Sequence, residues 1–212
     1  MLIAFDGIDG CGKSTQVNNV SKILKDFGYD VMCTRDPGNT KVSESIRNIL
    51  LDKSNNTMHN STEFFLFLAA KIQNYQEIIL PALKKGIIVL TDRYILSTYV
   101  YQILGKDIKN DLNTTDKKLF ELVNDSCSIP NINFIFNIPL DVSFNRISQK
   151  NKDRMESTGK DYFVKISQLF NNLSIHIDLP IYNINANQPE DIVTKDIIQY
   201  LSGWDLFKRI KK

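Results

Sequence analysis

A strand that runs into glycines and then directly into a helix constrains this chain more than any other feature. Residues 2–5 are apolar and predict a buried strand, and the pattern of residues 13–27 predicts a helix. Four residues around the junction fit G-x-x-x-x-G-K-[ST], namely Gly7, Gly12, Lys13 and Ser14. Glycines allow backbone N–H groups to converge on an anion, and a helix N-terminus adds partial positive charge. We therefore predict a phosphate-binding loop at residues 7–14.

The side chains of this loop have separate expected roles. Lys13 reaches the outer phosphates of a nucleotide, and the Ser14 hydroxyl can ligate Mg²⁺. The alternative is a glycine-rich turn that binds nothing, which the full motif between a strand and a helix disfavours. Asp9 is unexpected where anions bind, so it either faces a second substrate's hydroxyl or a metal-bound water, or it is a solvated carboxylate.

The rest of the chain alternates between strand and helix patterns. Further strands are predicted at residues 29–34, 86–92, 131–138 and 181–186. The longest predicted helix spans residues 62–84 with Ser61 as its N-cap, although Pro81 must bend or loosen its end. This alternation predicts an α/β fold, a five-stranded parallel sheet between two layers of helices. Since no repeat or linker divides the chain, we expect residues 1–212 to form a single domain.

Composition argues against several classes of protein. The 212 residues carry a formal net charge of +2, which does not suggest a nucleic-acid coat or a polybasic membrane anchor. Three widely separated cysteines argue against a disulfide framework or a metal-ligand cluster, and no apolar run approaches the roughly 18 residues that span a bilayer. With no signal peptide recognised, we expect a cytoplasmic protein without nucleic-acid or membrane partners.

Two polar segments are expected at the surface. Residues 148–160 are the most polar stretch inside the strand–helix pattern and form a candidate mobile lid. Their charges, Lys150 and Lys152 among them, are otherwise those of a solvated loop. The basic segment 204–212 is interpreted as a solvated end.

A second charged group follows the strand of residues 86–92. Asp92 lies at the carboxyl end of that strand, where open α/β sheets bind ligands, and an acid there suits the water shell of Mg²⁺. Arg93 beside it offers a planar fork of donors to a phosphate. Arg35 likewise offers a guanidinium directly after the second predicted strand. An ordinary surface pair at a strand end is the alternative for Asp92 and Arg93, and the nearby phosphate loop favours function.

The long helix carries a lysine within its apolar arc. Lys71 follows Phe67 by one turn on the face that also carries Phe64 and Leu68. A buried ammonium needs a partner, so one hypothesis is a pocket in which Phe67 stacks on a planar ring and Lys71 donates to a ring oxygen. The other is an apolar core stripe whose lysine extends to solvent, and periodicity alone favours it.

Five ordered blocks together resemble the thymidylate kinase family of phosphate-loop nucleoside-monophosphate kinases. The resemblance covers nearly the whole chain and rests on "FDGIDGCGKSTQ", "TRDPGNT", "EFFLFLAAKIQN", "DRYILSTYVYQ" and "KDRMES". It implies the fold of that family and transfer of the γ-phosphate of ATP to dTMP. With uncharged Cys11 in the loop and Lys150, Lys152 and Arg154 in the candidate lid, the chain resembles the branch of the family with a basic lid. The resemblance also implies Mg²⁺ as cofactor and a homodimer formed through helices that flank the sheet.

The resemblance further implies a role for each matched residue. ATP is expected at Gly7, Gly10, Gly12, Lys13, Ser14, Thr15 and Arg146, the last packing over adenine. The expected dTMP contacts are Asp9, Arg35, Phe67, Lys71, Arg93, Thr98, Tyr101 and Gln102. Among these, Asp9 approaches the 3′-hydroxyl, Phe67 stacks on thymine and Tyr101 crowds the 2′ position. The implied catalytic residues are Lys13, Asp92, Arg93 and Arg154, and the implied metal ligands are Ser14 and Asp92.

Departures from the family pattern leave alternatives open. Asp6 stands where glutamate is common, "DPGN" replaces "EPGG", and Lys71 replaces an arginine that reaches the base carbonyl. Because lysine cannot make the two-pronged contact of arginine, a kinase for another deoxynucleotide or a deoxynucleoside is the second hypothesis. A nucleotide-binding regulatory protein is the third, and its expected signature, loss of Lys13, Ser14, Asp92 or the arginines, is absent.

Overall fold

One parallel sheet organises the protein. The computed structural model describes residues 1–106, 108–148, 153–173, 179–205 and 207. Its five strands lie in the order β2-β3-β1-β4-β5, and every neighbouring pair is parallel. They are β1 (Leu2–Gly7), β2 (Val31–Arg35), β3 (Ile88–Asp92), β4 (Ile132–Asn137) and β5 (Ile181–Asn185). This confirms the predicted α/β fold with its five-stranded sheet.

The central strand shows that the sheet is covered on both faces. All six residues of β1 are buried, as expected of a strand packed by helices above and below. In the ladder, Phe5 pairs with Asp92 of β3, and Asp92 pairs in turn with Arg35 of β2. The carboxyl ends of three strands therefore meet at one edge of the sheet, and this edge carries the phosphate loop.

Helices and short helical turns connect the strands. Helices α1 and α10 pack against each other, and so do α2 and α3. Tyr99–Leu104 continues α5 as a wider π-helical turn. The helices are α1 (Lys13–Asp26), α2 (Lys41–Leu51), α3 (Asn60–Asn74), α4 (Leu80–Lys84), α5 (Ile95–Thr98), α6 (Ile108–Asp111), α7 (Asp116–Ser126), α8 (Leu140–Ser148), α9 (Lys160–Asn171) and α10 (Glu190–Ser202).

The long helix differs from its prediction at both ends. It begins at Asn60, and His59 rather than Ser61 is its N-cap, accepting a hydrogen bond from the Ser61 N–H at 3.3 Å. Its regular part stops at Asn74, where the chain widens into a π-helical segment, Tyr75–Ile79, before α4. Pro81, in the first turn of α4, has no N–H to donate to the preceding turn, which accounts for the interruption.

The two polar segments also depart from expectation. Phe207 of the supposed solvated end is fully buried, and its ring meets that of Tyr29 edge-on at 5.5 Å. Residues 206 and 208–212 lie outside the described residues. So do residues 149–152 of the predicted lid, with Lys150 and Lys152, while residues 153–159 form turns that lead into α9. Within the described parts of the chain, no helix has both the length and the apolarity to cross a membrane.

Candidate active site

The phosphate loop is built by backbone geometry that its glycines permit. Gly7 and Gly12 have φ angles of 142° and 94°, and α1 begins immediately after Gly12. A Cβ at Gly7 would lie 2.7 Å from the carbonyl oxygen of Phe136, so β4 leaves no room for a side chain there. The buried Lys13 ammonium folds back onto the loop and donates to the carbonyl oxygens of Gly7 at 3.2 Å and Ile8 at 2.8 Å.

Two adjoining clefts open at the carboxyl edge of the sheet. The larger, here the loop cleft, contains ten of the predicted site residues: Asp9, Gly10, Gly12, Lys13, Ser14, Thr15, Arg35, Asp92, Arg93 and Arg146. The smaller, here the aromatic cleft, contains six: Asp9, Phe67, Arg93, Thr98, Tyr101 and Gln102. Asp9 and Arg93 line both clefts. Three predicted residues line neither: Gly7, Lys71 and Arg154.

Arg93 and Asp9 form the junction between the clefts. Arg93 has a left-handed φ of 67°, and its guanidinium donates to the Gly7 carbonyl at 3.0 Å and the Ser97 hydroxyl at 3.1 Å. The same guanidinium pairs with Asp9, which also accepts from the Tyr101 hydroxyl at 3.2 Å. Burial raises the pKa of Asp9, but the charges of Arg93 and Lys13 outweigh it and lower this pKa overall. The junction is therefore a fixed, ionised pair.

Asp6 binds the turn that follows Arg93. Its fully buried carboxylate accepts hydrogen bonds from the backbone N–H groups of Tyr94 and Ser97, both at 3.0 Å, and from the Ser97 hydroxyl. A carboxylate at the N-terminus of α5 also faces the positive end of the helix dipole. The residue that departs from the family's glutamate thus fixes the turn on which Arg93 lies.

A hydroxyl and a carboxylate lie together at the mouth of the loop. The Ser14 hydroxyl donates to a carboxylate oxygen of Asp92, so residues 78 positions apart in the chain become neighbours. Both groups are oxygen donors of the kind that hard divalent cations prefer. Within the described residues there is no group of three or more His, Cys, Asp or Glu side chains that could hold a metal ion.

Lys71 is buried beside a carboxylate and does not extend to solvent, while its contact with a bound base stays a prediction. Only 1% of it is exposed, it pairs with Asp36, and its ammonium lies 4.7 Å from the ring centroid of Tyr94. Burial lowers its pKa to about 8. Extension to solvent was therefore wrong, because a carboxylate from the "DPGN" turn reaches the lysine inside the protein. Lys71 is also absent from the wall of the aromatic cleft, where Asp36 takes part instead.

Arg154 likewise lies away from the phosphate loop. It donates to the carboxylate of Glu63 at 2.7 Å and to the Leu50 carbonyl oxygen at 2.7 Å. The backbone N–H of Arg154 donates to the carbonyl oxygen of Leu51 at 3.1 Å. These contacts fasten the turn after residue 152 to the ends of α2 and α3. A contact of Arg154 with ATP phosphates stays a prediction that this geometry does not support.

Two further arginines of the loop cleft differ in how they are held. Arg35 is half-exposed and pairs with Glu44 at 2.9 Å, whereas Arg146 donates to the Gly10 carbonyl oxygen at 3.0 Å.

A third arginine, Arg47, lines both clefts and donates to the Pro37 carbonyl oxygen at 2.8 Å, and burial lowers its pKa. Arg47 was not among the predicted site residues. It lies one turn after the buried Ser43 on α2, a position that no motif in the sequence marks.

The chain has clear relatives among characterised families. A family model described as "Thymidylate kinase" matches residues 5–197. A thymidylate kinase of Buchnera aphidicola is 39% identical over 206 residues, which cover 96% of this chain and 95% of the relative. One of Thermosipho africanus is 40% identical over 174 residues, covering 82% and 84%. One of Acinetobacter baumannii is 32% identical over 206 residues, covering 95% and 100%.

Proposed function

The chain belongs to the thymidylate kinase family, and on that premise we propose that it transfers the γ-phosphate of ATP to dTMP, giving dTDP and ADP. The observation that carries the proposal is the junction of two clefts at Asp9 and Arg93. One cleft has the glycine loop and a lysine suited to a triphosphate, and the other has aromatic walls suited to a base. A donor and an acceptor bound in them would meet at the guanidinium of Arg93.

The donor half follows from the loop cleft. Backbone N–H groups at the start of α1 and the Lys13 ammonium would hold the β- and γ-phosphates, because they offer positive charge at a helix N-terminus. The flat guanidinium of Arg146, beside Gly10, would pack over the adenine. Thr15 lines the same cleft next to Ser14. This half needs no covalent nucleophile, since the acceptor phosphate oxygen is already anionic and catalysis is positioning with charge neutralisation.

The acceptor half follows from the aromatic cleft and its rim. Arg35, Arg47 and Arg93 would hold the dTMP phosphate, each with a planar fork that matches phosphate oxygens. Phe67 would stack on thymine, and Thr98 and Gln102 would offer polar contacts to its edge. Asp9 would accept a hydrogen bond from the 3′-hydroxyl, while the ring of Tyr101 would leave no room for a 2′-hydroxyl. Lys71 is left out of this set because it pairs with Asp36, and Arg154 is left out of the donor half because it pairs with Glu63.

Magnesium fits the donor half. The residues that would hold it are Ser14 and Asp92, an adjacent hydroxyl and carboxylate at the mouth of the loop. Two side-chain oxygens suffice for a cation that keeps several waters and binds nucleotide phosphates. When bound, it would neutralise negative charge on the β- and γ-phosphates.

We also propose that the enzyme is a homodimer. Support comes from large apolar side chains exposed on the outer face of the packed helices α2 and α3: Val42 at 50%, Ile49 at 46% and Phe65 at 48%. A second copy would remove this surface from water. Sedimentation velocity at micromolar concentration tests it, and a single species of 24.3 kDa would argue against it.

An acceptor panel tests the proposed activity. ADP release is measured with ATP and Mg²⁺ in the presence of dTMP, dUMP, dCMP, dGMP or thymidine, and without an acceptor. We expect the highest kcat/KM with dTMP. A preference for another acceptor would favour the second hypothesis, which the absence of Lys71 from the aromatic cleft keeps open. A regulatory nucleotide-binding protein would release no ADP in response to any acceptor.

A further inference from the structure

A fully buried carboxylate lies behind the aromatic cleft. Glu63, in the first turn of α3, has no exposed surface. One of its oxygens accepts hydrogen bonds from Lys106 and Arg154, both at 2.7 Å. The other accepts from the side-chain amide of Gln102 at 3.3 Å. Nothing in the reaction described above uses Glu63, although it touches a residue of the substrate cleft.

Burial of this group demands a reason. Removing an ionised carboxylate from water is costly, and even two cations beside it rarely give a net gain over apolar residues of the same volume. The side chains of Lys106 and Arg154 are themselves only 12% exposed, so three charges are withdrawn from solvent together. Such an arrangement is expected to add little to the stability of the fold. It does, however, place an acceptor of fixed orientation directly behind Gln102.

The chemistry of Glu63 fixes the amide of Gln102. A carboxylate paired with two cations accepts hydrogen bonds and donates none, whereas a primary amide has one donating and one accepting end. The nitrogen of Gln102 must therefore face Glu63, and the carbonyl oxygen is the end that is turned away. Gln102 is 2% exposed and its remaining surface lines the aromatic cleft. The cleft thus receives a hydrogen-bond acceptor at this position.

An acceptor in the cleft wall selects among bases. Thymine and uracil carry an N–H at ring position 3, which donates to a carbonyl oxygen. Cytosine has an unprotonated nitrogen at that position, so two acceptors would face each other. A site whose buried polar group is left unpaired rejects a ligand far more strongly than one that only loses apolar contact.

Resting on the proposed function, we propose that Glu63 is a positioning residue that sets the preference for bases with a ring N–H by fixing the Gln102 amide. It touches neither substrate. Lys106 and Arg154 donate to this carboxylate, and through Arg154 it also fastens the turn that includes Asp153 and Met155, which line the cleft.

The test compares two nucleotides in variants of the whole protein. For each variant, the inhibition constant of dCMP against dTMP is divided by the KM for dTMP. In Glu63→Gln the new amide can donate as well as accept, so the Gln102 amide is free to turn over. We expect the ratio to fall about tenfold, the effect of one hydrogen bond of about 1.4 kcal/mol. An unchanged ratio overturns the proposal.

Three further variants separate orientation from stability. Lys106→Met removes a cation from the same carboxylate but leaves its bond to Gln102, so the ratio should stay within about twofold of the unmodified protein. A drop in Lys106→Met as large as in Glu63→Gln overturns the proposal. In Gln102→Leu the ratio falls, and adding Glu63→Gln should lower it no further. A second, additive fall in the double variant would mean that Glu63 acts by another route.

Two outcomes could otherwise be confused. If Glu63→Gln does not fold, Glu63→Asp serves instead, because it keeps the charge for Arg154 while withdrawing the acceptor from Gln102; the ratio must fall there too. If the unmodified protein releases no ADP with dTMP, the proposed function fails. If the protein phosphorylates dTMP well but the ratio stays the same when Glu63 is replaced, the proposed function stands and the positioning role of Glu63 is wrong.

Discussion

Two lysines of this protein are almost equally buried and yet are held in opposite ways. Lys13 rests on the neutral carbonyl oxygens of Gly7 and Ile8, whereas Lys71 pairs with the carboxylate of Asp36. A phosphate can replace a carbonyl as partner of Lys13 without leaving any charge uncompensated. Lys71 cannot leave Asp36 without burying a bare carboxylate. The first arrangement is suited to bind a ligand and the second to shape the protein around one.

Replacing Lys13 should give the largest effect in this comparison. In Lys13→Ala the loop loses its only side-chain cation, so we expect kcat to fall by about 10³-fold or more through lost charge stabilisation. The fold should persist, since the lost hydrogen bonds go to neutral groups, the carbonyl oxygens of Gly7 and Ile8 and the sulfur of Cys11, and Asp9 keeps its pairing with Arg93. ADP release and circular dichroism measure the two quantities. Retention of a tenth of the turnover would remove Lys13 from the catalytic residues.

Arg93 lies where the two clefts join, and it has both a neutral partner, as Lys13 does, and a carboxylate partner, as Lys71 does. Its guanidinium bonds to a carbonyl oxygen and also pairs with Asp9. In Arg93→Ala we expect kcat to fall by about 10²-fold or more, because the charge proposed to meet both phosphates is lost. Arg93→Lys, which keeps the charge without the fork, is the matched control and should recover only part. Near-normal turnover in Arg93→Ala contradicts its assignment.

Removing Lys71 should act on stability first. In Lys71→Met we expect the free energy of unfolding to fall by about 3 kcal/mol, because Asp36 is left charged and buried. Urea denaturation measures this change. The double variant Lys71→Met with Asp36→Asn should regain part of the loss, since the buried charge disappears. Lys117→Met is the control, as its ammonium is exposed and lies 3.9 Å from Glu121. If Lys71→Met and Lys117→Met have the same free energy of unfolding, Lys71 does not stabilise the fold through Asp36.

The pair of Arg35 and Glu44 should give the smallest effect. Both side chains are more than one-third exposed, so Glu44→Gln should change the free energy of unfolding by less than about 1 kcal/mol. A hydrogen bond from the Asn39 N–H and the charge of Arg35 lower the pKa of Glu44 despite partial burial. The small stabilisation is therefore present above the unfolded pKa and is lost as the pH falls. Denaturation at pH 7 and at pH 3 would check the sign, and a larger difference at pH 3 would contradict it.

The phosphate loop and the sheet were predictable because their determinants are local. Glycine positions, an apolar strand and a helix start within a few residues of one another specify the loop, and strand–helix alternation specifies a parallel sheet. Ser14 and Asp92 were predicted together as the residues that would hold a metal ion, and pairing of β1 with β3 makes them neighbours. The predicted start of the long helix was wrong by two residues because N-cap preference favours Ser61, whereas the chain enters the helix at His59.

What the sequence determined by itself is the glycine and lysine motif of the loop, the order of the strands along the chain and the identity of the family. The tertiary structure decided which partner each buried charge finds: Asp36 for Lys71, Glu63 for Arg154, and Gln102 beside Glu63. These partners lie between 35 and 91 positions apart in the chain. A sequence shows that a buried ammonium needs a counter-charge, but only packing in three dimensions selects the carboxylate that reaches it.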